Sequence, residues 1–369
     1  MRDATAKTSP SECLINLLEL SHRDTTDLME QLDWPAYRAD QLLRWIHQGR
    51  VRDVDGMSDI PKRQREQLRA IARLERFGYP AQVRISEDGT RKFLFRLSDG
   101  MLVETVSIPD AGRLTLCLSS QVGCTLDCRF CLTGRMGLRR NLKAHEIVDQ
   151  VLSVMDQLEP GQQITNFVFM GMGEPLANAD AVGEAIRRLT NRVWGLGISA
   201  KRITVSTAGL ASRLSAFSTL GVNLAVSLNG TTNEQRARLM PAVNRRHSLS
   251  ALIAACRAYP LAPRQKLTFE YVLLADINDS EDDARRLIKL LHDIRCKVNL
   301  IPFNEFAGGP YRRPDSAAIL RFQSRLRRAG FDVLVRKSRG RDILGACGQL
   351  GSGSPPKSLA VLTPAGAAC

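Results

Sequence analysis

Three of the nine cysteines lie close together in the segment Cys124-Thr-Leu-Asp-Cys128-Arg-Phe-Cys131, with the spacing C-x3-C-x2-C. Thiolates are soft ligands, and a dense set of them suits an iron–sulfur cluster or zinc. Three ligands would leave one corner of a four-iron cluster without protein coordination, and such an open position can bind a substrate or cofactor. The alternatives are a zinc site completed by His145, or three small buried side chains that bind no metal.

A second group of residues stands where predicted strands end. The turn Gly171-Met-Gly173-Glu174-Pro175 follows a buried strand, and glycines let the backbone approach a ligand while a carboxylate can accept from an ammonium group. The residues at the ends of later strands are Ser206, Ser227, Leu228, Asn229 and Asn304. Taken singly, each polar residue of this group is more typical of a helix cap or a turn.

These residues need a scaffold, and the chain from residue 113 to 335 alternates strands with amphipathic helical segments, which favours parallel βαβ units. We predict about six such units in an open or partial barrel, with the chemistry at the carboxyl ends of the strands. The predicted strands are Leu114–Ser119, Ile164–Met170, Ile203–Thr207, Val222–Leu228, Leu267–Leu273 and Val298–Pro302. The predicted helices include Glu146–Leu158, Asp180–Leu189, Leu249–Ala258 and Asp282–Leu291.

The remaining segments are attachments to this core. We predict a disordered N-terminus over 1–12, a helical accessory domain over 13–80, a β-hairpin extension over 81–112, a core over 113–349 and a flexible tail over 350–369. The apolar residues Leu14, Leu17, Leu18 and Leu20 indicate the first helix, and Asp88-Gly89 and Asp99-Gly100 indicate hairpin turns.

Composition excludes several classes of protein. The 369 residues are 44% hydrophobic and 24% charged, which is ordinary globular usage and not that of a disordered or fibrous chain. No 18-residue apolar window and no signal core are present, so we expect a cytoplasmic protein without a membrane partner. The 52 basic and 38 acidic residues give a formal charge of +14, which favours a polyanionic partner such as nucleic acid.

Five motifs in order resemble one known family. They are Ser119-Ser-Gln-Val-Gly-Cys124, Arg140-Asn-Leu142, Gly171-Met-Gly-Glu-Pro175, Cys296-Lys-Val-Asn-Leu-Ile-Pro-Phe-Asn304 and Ala346-Cys-Gly-Gln-Leu350. With the cysteine triplet they resemble the RlmN/Cfr family of radical S-adenosylmethionine (SAM) RNA adenine methyltransferases, over about residues 35–350. The resemblance implies an α/β fold, a partial (β/α)6-type radical SAM barrel with an N-terminal small helical domain and a β-hairpin extension.

The resemblance also implies two cofactors and the residues that hold them. Cys124, Cys128 and Cys131 would bind a [4Fe–4S] cluster, whose open iron would bind SAM and cleave it after one-electron reduction. Seven residues match the family's SAM-contacting positions: Gly173, Glu174, Ser206, Ser227, Leu228, Asn229 and Asn304.

Three further residues match a methyl relay in the family. Adenine C2 is electrophilic, so ordinary methyl transfer cannot reach it, and a thiolate is a suitable temporary methyl carrier. By resemblance Cys347 accepts the methyl group, Cys117 later attacks the Cys347 sulfur and leaves a disulfide, and Glu104 accepts the adenine proton. Taken alone, Cys117 is more typical of a strand core and Glu104 of a solvent-facing strand position.

The chain departs from the family pattern at Asn229-Gly230, where the family has His, and at Leu132-Thr-Gly-Arg135. The resemblance implies methylation of adenine C2 in 23S ribosomal RNA and in tRNA, and the departure at Asn229 leaves C8 methylation or another RNA target as the alternative. A radical SAM enzyme that modifies a protein and a zinc-containing RNA-binding module are the more distant alternatives. The expected partners are RNA and a reductant such as a flavodoxin-type electron donor, and the expected oligomeric state is a monomer.

Overall fold

A computed structural model describes residues 14–351. The expected disordered N-terminus and almost all of the expected tail lie outside the described residues, as do Cys13 and Cys369. The helices are α1 His22–Gln31, α2 Tyr37–His47, α3 Lys62–Ile71, α4 Leu132–Arg135, α5 Ala144–Met155, α6 Ala179–Thr190, α7 Asn233–Leu239, α8 Pro241–Arg246, α9 Leu249–Arg257, α10 Glu281–Leu291 and α11 Ser316–Arg328. The strands are β1 Ile15–Asn16, β2 Ala72–Arg73, β3 Gln82–Ile85, β4 Arg91–Arg96, β5 Leu102–Asp110, β6 Arg113–Cys117, β7 Gln121–Gly123, β8 Leu138–Asn141, β9 Asn166–Phe169, β10 Ile203–Thr207, β11 Asn223–Ser227, β12 Leu267–Leu273, β13 Cys296–Pro302 and β14 Val333–Val335.

A ten-stranded sheet forms the centre of the molecule, in the order β14-β13-β12-β11-β10-β9-β6-β5-β4-β3. The strands from β6 to β14 in this order are parallel, and helices such as α5, α6, α10 and α11 connect them. The predicted partial barrel is confirmed, with its six strands within a few residues of the predicted bounds. The short β14 adds a seventh parallel strand, which its three residues were too few to reveal.

Three antiparallel strands extend the same sheet. β3, β4 and β5 pair in succession, and β5 pairs with β6, so this extension is continuous with the barrel rather than a separate hairpin. The two glycines of the predicted turns, Gly89 and Gly100, have φ of 82° and 81°. This left-handed backbone region explains why glycine occupies both turns.

The N-terminal region has its own apolar core, formed by side chains such as Leu42, Leu43, Ile46 and Leu68. The prediction of a helix beginning near Leu14 was wrong, because residues 15–16 form β1, which pairs with β2. The first helix begins at His22, where Ser21 and Asp24 form a capping box. Leu17 and Leu18 are buried, and they lie in the turn that follows β1.

Two buried arginines attach this region to the barrel. Arg76 binds Asp149 of α5 at 3.0 Å, and both side chains are about 1% exposed. Arg188 of α6 donates to the carbonyl oxygens of Leu18 and Leu20. The attachment is therefore polar and directional. Within residues 14–351, no helix has the length and apolar character needed to cross a bilayer.

Candidate active site

The predicted site residues converge on one cavity at the carboxyl ends of the parallel strands, here called the first cavity. Ten of them line it: Cys124, Cys128, Cys131, Gly173, Glu174, Ser206, Ser227, Asn229, Asn304 and Cys347. Three do not. Leu228 is buried behind the wall, while Cys117 and Glu104 lie elsewhere. Most of the site predicted from separate strands therefore shares one space.

The three clustered cysteines stand on a loop bracketed by the antiparallel strands β7 and β8. Gly123 ends β7 with φ of 76°, and a Cβ there would lie 1.9 Å from the carbonyl oxygen of Gly137. Only glycine allows this close approach. Burial raises the pKa of all three thiols, that of Cys124 to about 12, so metal binding must displace protons.

A zinc site completed by His145 does not fit the structure. His145 does not line the first cavity, and the charges that act on it come from Glu146, Glu19 and Lys143. Within residues 14–351, no group of three or more His, Cys, Asp or Glu side chains is placed so that it could hold a single metal ion. A cluster in which each thiolate binds a different iron does not need such convergence.

The turn after β9 presents Glu174 to the first cavity. Gly173 has φ of 103°, and a Cβ there would lie 2.6 Å from the side chain of Gln121. The Gln121 side-chain oxygen accepts from the Glu174 amide at 2.9 Å, while the Glu174 carboxylate accepts from the amides of Leu176 and Ala208. Burial raises the pKa of Glu174. The carboxylate is thus held rigidly at the edge of the cavity.

A second buried carboxylate, Glu270 on β12, was missed by the sequence analysis. Ser206 donates to its Oε2 at 2.8 Å and Ser227 at 3.4 Å, whereas its Oε1 has no hydrogen-bond partner among the described residues. Arg336 lies 3.9 Å from Oε1, which is close enough for an ion pair but too far for a hydrogen bond. A charged residue inside the apolar strand Leu267–Leu273 was the available signal.

The charge of the first cavity suits a cationic ligand. Among the described residues of its lining, Glu174 and Glu270 are carboxylates and none is lysine or arginine. The unpartnered oxygens of Glu270 and Asn304 can accept hydrogen bonds from a ligand. An ammonium or sulfonium group would therefore be more favourable here than an anion.

Asn229 and Asn304 each bind a backbone group of the wall. Asn229 has φ of 54°, which asparagine tolerates better than most residues, and its Oδ1 accepts from the Val272 amide at 2.9 Å. Asn304 donates to the carbonyl oxygen of Cys347 at 3.1 Å. Asn229 shapes the wall of the first cavity, and Asn304 holds the loop that carries Cys347.

Cys347 lies where the first cavity meets another one. This second cavity is lined by Cys117, Arg336 and Cys347 among others. Burial raises the pKa of Cys117 to about 12, and Cys347 and Arg336 act on it with opposite signs. The seven described cysteines are free thiols, so the expected disulfide is absent from this structure. The two thiols nonetheless share one cavity, with a guanidinium beside them.

Comparison with known proteins identifies the family. Residues 118–288 match the family model of the radical SAM superfamily, and residues 15–74 match the N-terminal domain of ribosomal RNA large subunit methyltransferases. A dual-specificity RNA methyltransferase RlmN from Bdellovibrio bacteriovorus is 44% identical over 91% of this chain and 84% of its own length. The chain belongs to the RlmN family. The RlmN protein of Geobacter sulfurreducens is 50% identical over 85% of this chain and 86% of its own length.

A solved structure agrees with this membership in the RlmN family. A radical SAM methyltransferase from Sphaerobacter thermophilus has a TM-score of 0.84 and 40% identity, and the match covers 91% of this chain and 98% of that one. The predicted family, the radical SAM methyltransferase class and the two cofactors are confirmed. As an RlmN-family member the chain uses a [4Fe–4S] cluster and SAM, and the three thiols and the cation-favouring cavity fit both.

Glu104, like Leu228, is a predicted site residue that the structure places outside both cavities. Its side chain is buried and accepts from Lys92 at 3.2 Å and from the Gly351 amide at 2.8 Å. Lys92 also donates to the carbonyl oxygen of Leu344. Glu104 is therefore joined to the loop around Cys347, although it does not face the cavities in this structure.

Proposed function

We propose that this RlmN-family member methylates C2 of adenine in 23S ribosomal RNA and in tRNA, through a methyl group carried on Cys347. The observation that supports it most directly is the position of Cys347. It lines the first cavity, which suits SAM, and also the second cavity, which contains Cys117. A carrier that takes a methyl group from one site and delivers it to another needs access to both.

The proposed roles of the residues follow from their places. Cys124, Cys128 and Cys131 hold the cluster. The SAM pocket is lined by Gly173, Glu174, Ser206, Ser227, Asn229 and Asn304, and Leu228 lies behind its wall. The Cys347 sulfur attacks the SAM methyl carbon, which breaks the methyl–sulfonium bond. The bound cluster and a second SAM supply the radical chemistry that removes one hydrogen atom from this methyl group.

Release of the product depends on the second thiol. The methylene on Cys347 bonds to adenine C2, the adduct would return one electron to the cluster that was oxidised when SAM was cleaved, and Glu104 accepts the C2 proton once the Gly351 contact has opened. The Cys117 thiolate then attacks the Cys347 sulfur, so that an S–S bond forms and the S–CH2 bond breaks. The released carbon keeps the electron pair and takes a proton to become the methyl group. A flavodoxin-type reductant, a monomeric state and a cytoplasmic location stay predictions.

Mass spectrometry of the RNA product tests this function. Anaerobically reconstituted protein is incubated with SAM, dithionite and RNA from a strain that lacks the corresponding activity, and nucleosides from 23S rRNA and tRNA are then analysed. We expect 2-methyladenosine from both RNAs. Exclusive 8-methyladenosine would refute the C2 assignment, and product from Cys347→Ala would refute the carrier.

A further inference from the structure

The second cavity runs along the inside of the barrel, and most of its wall lies outside the proposed cluster and SAM sites. Four residues are shared with the first cavity: Met170, Ile301, Asn304 and Cys347. The rest of its lining includes inward residues of the parallel strands, such as Thr115, Thr204, Thr268 and Asn299. The cavity therefore has a mixed polar and apolar wall, and it begins at Cys347, the proposed methyl carrier.

The charge of this cavity is opposite to that of the first. Among the described residues of its lining, Arg113, Lys297, Arg336, Lys337 and Arg339 are cationic, and Asp110 is the single acid. Asp110 lies 2.9 Å from Arg339 and 3.2 Å from Arg113, so its charge is already matched. Arg336 likewise lies 3.9 Å from Glu270 of the first cavity, so the remaining excess of positive charge is carried mainly by Lys297 and Lys337. This excess favours phosphate groups, whereas the first cavity favours a cation.

Asn299 places a hydrogen-bonding group inside this space. Along β13, Cys296, Val298 and Leu300 are buried in the apolar core, and the alternate residues Lys297 and Asn299 line the cavity. The Asn299 Oδ1 is buried without a hydrogen-bond partner among the described residues. A buried carboxamide that lacks a partner is costly unless a ligand or water completes it.

The edge of adenine that carries the N6 amino group is complementary to the side-chain carboxamide of Asn299. A side-chain carboxamide can accept from the adenine N6 amino group and donate to a neighbouring ring nitrogen, as Asn and Gln do when they bind adenine. A base inside the second cavity would have its phosphates near the cations and its ring near Cys117 and Cys347. Such a position requires the nucleotide to be turned out of its stack.

We propose that the second cavity receives the target nucleotide, that Asn299 binds the N6 amino group of its adenine, and that Lys337 and Arg339 bind the adjoining phosphates. This inference rests on the proposed function, since it locates the substrate of that reaction. It makes Asn299 a specificity residue for adenine. The Asp110–Arg339 ion pair is the contact that an incoming phosphate would displace.

A binding cycle with a chemically altered base tests Asn299. The probes are fluorescein-labelled 12-nucleotide oligo(A) and the same oligomer built from purine riboside, which lacks the N6 amino group. Affinities are measured by anisotropy with S-adenosylhomocysteine present. We expect the wild type to prefer oligo(A) by about fivefold or more, Asn299→Ala to lose this preference, and Asn299→Asp to retain part of it because it keeps an acceptor oxygen. Equal preference in wild type and Asn299→Ala overturns the assignment.

The phosphate subsite has its own readout and a matched control. Lys337→Ala combined with Arg339→Ala should reduce the slope of log affinity against log salt by about 1.4, because each phosphate contact to a single strand contributes about 0.7. Lys289→Ala removes an exposed lysine of α10 that lines neither cavity and should leave the slope unchanged. An unchanged slope in the double variant overturns the assignment of Lys337 and Arg339 to the phosphates.

Photo-crosslinking separates this inference from the proposed function. A single 8-azidoadenosine in the oligomer should crosslink to peptides that contain Asn299 or residues 336–347. Crosslinks confined to the N-terminal helices, with RNA methylation intact, overturn the inference and leave the function standing. Absence of methylation by wild-type protein, with the Asn299 preference intact, overturns the function and leaves the adenine site standing.

Discussion

The backbone amide of Leu132 donates a 2.7 Å hydrogen bond to the carbonyl oxygen of Gly348. Each residue directly follows a cysteine of the site, Cys131 in the cluster loop and Cys347 in the carrier loop. Thr133 strengthens the junction, because its hydroxyl donates to the Leu350 carbonyl oxygen at 2.6 Å. The carrier loop is therefore docked directly on the cluster loop.

Cluster binding should depend on the three loop cysteines and on no other buried cysteine. Cys128→Ala is expected to reduce iron and sulfide to background after anaerobic reconstitution, because one of only three protein ligands is lost. Cys256→Ala is the matched control, since Cys256 is buried in the apolar core away from the loop. Equal iron content in the two variants would contradict the ligand assignment.

Replacement of Cys347 and replacement of Cys117 should block the reaction at different stages. Cys347→Ala is expected to abolish turnover with the cluster intact, because the methyl carrier is gone. Cys117→Ala should accumulate a covalent protein–RNA adduct, because the bond to Cys347 can form but cannot be exchanged. Denaturing gels and mass spectrometry of the RNA-linked peptide measure both effects, and release of free product by Cys117→Ala would count against the relay.

Cys117 should react slowly and with a steep pH dependence. Burial raises the pKa of its thiol to about 12, so only a small fraction is thiolate near neutrality. Below that pKa the thiolate fraction, and with it the rate of alkylation by iodoacetamide, should rise about tenfold per pH unit. Denaturation should restore the ordinary value of 9.0. A plateau at pH 9 in the folded protein would contradict the raised pKa.

Arg336 opposes the effect of burial on the pKa of Cys117. Its positive charge lowers the pKa of Cys117, so Arg336→Met should slow alkylation of Cys117 several-fold at a fixed pH. Lys289→Met serves as the matched control, because Lys289 is exposed and lines neither cavity. Mass spectrometry of the Cys117 peptide gives the rate. Identical rates in both variants would exclude a role of the guanidinium in activating the thiol.

Glu270 should contribute to cofactor affinity. Glu270→Gln removes one of two carboxylates from the first cavity and disturbs the hydrogen bonds from Ser206 and Ser227. Hydrogen bonds to charged groups are worth about 1.5–3 kcal/mol, so SAM affinity by equilibrium dialysis should fall roughly tenfold or more. Glu281→Gln, at an exposed position on α10, should bind SAM as the wild type does. Equal affinities would show that Glu270 only supports the two serines.

The Arg76–Asp149 pair should stabilise the attachment of the N-terminal region. Both side chains are about 1% exposed, and Asp149 also accepts from the Phe77 amide. Removing one partner of such a pair leaves a buried charge, which costs about 3–5 kcal/mol. Arg76→Met should therefore lower the thermal midpoint by several degrees, whereas Arg285→Met on the exposed face of α10 should not. An unchanged thermal midpoint in Arg76→Met would contradict the expected cost of leaving Asp149 buried without its partner.

Part of this site could be predicted from the sequence, because some of its reactive groups are neighbours along the chain. The spacing of Cys124, Cys128 and Cys131 and the glycine turn before Glu174 are contiguous signals, because the groups that act together are neighbours in sequence. The strand–helix alternation likewise predicted the partial barrel, since hydrophobic periodicity is local. The resemblance to the RlmN family, which the comparisons confirmed, then supplied roles that no local pattern contains.

Other features depended on contacts between distant segments. Glu270 faces the cavity only because β12 lies beside β11, which brings it to Ser227, and Asn299 is an inward residue only in the register of β13 with β12. The opposite charges of the two cavities and the place of Cys347 between them exist only after folding. The sequence alone thus determined which reactive groups are present, because side-chain chemistry is local. Only the tertiary structure decided which of them share a space, because strand register and loop docking bring together residues more than two hundred positions apart.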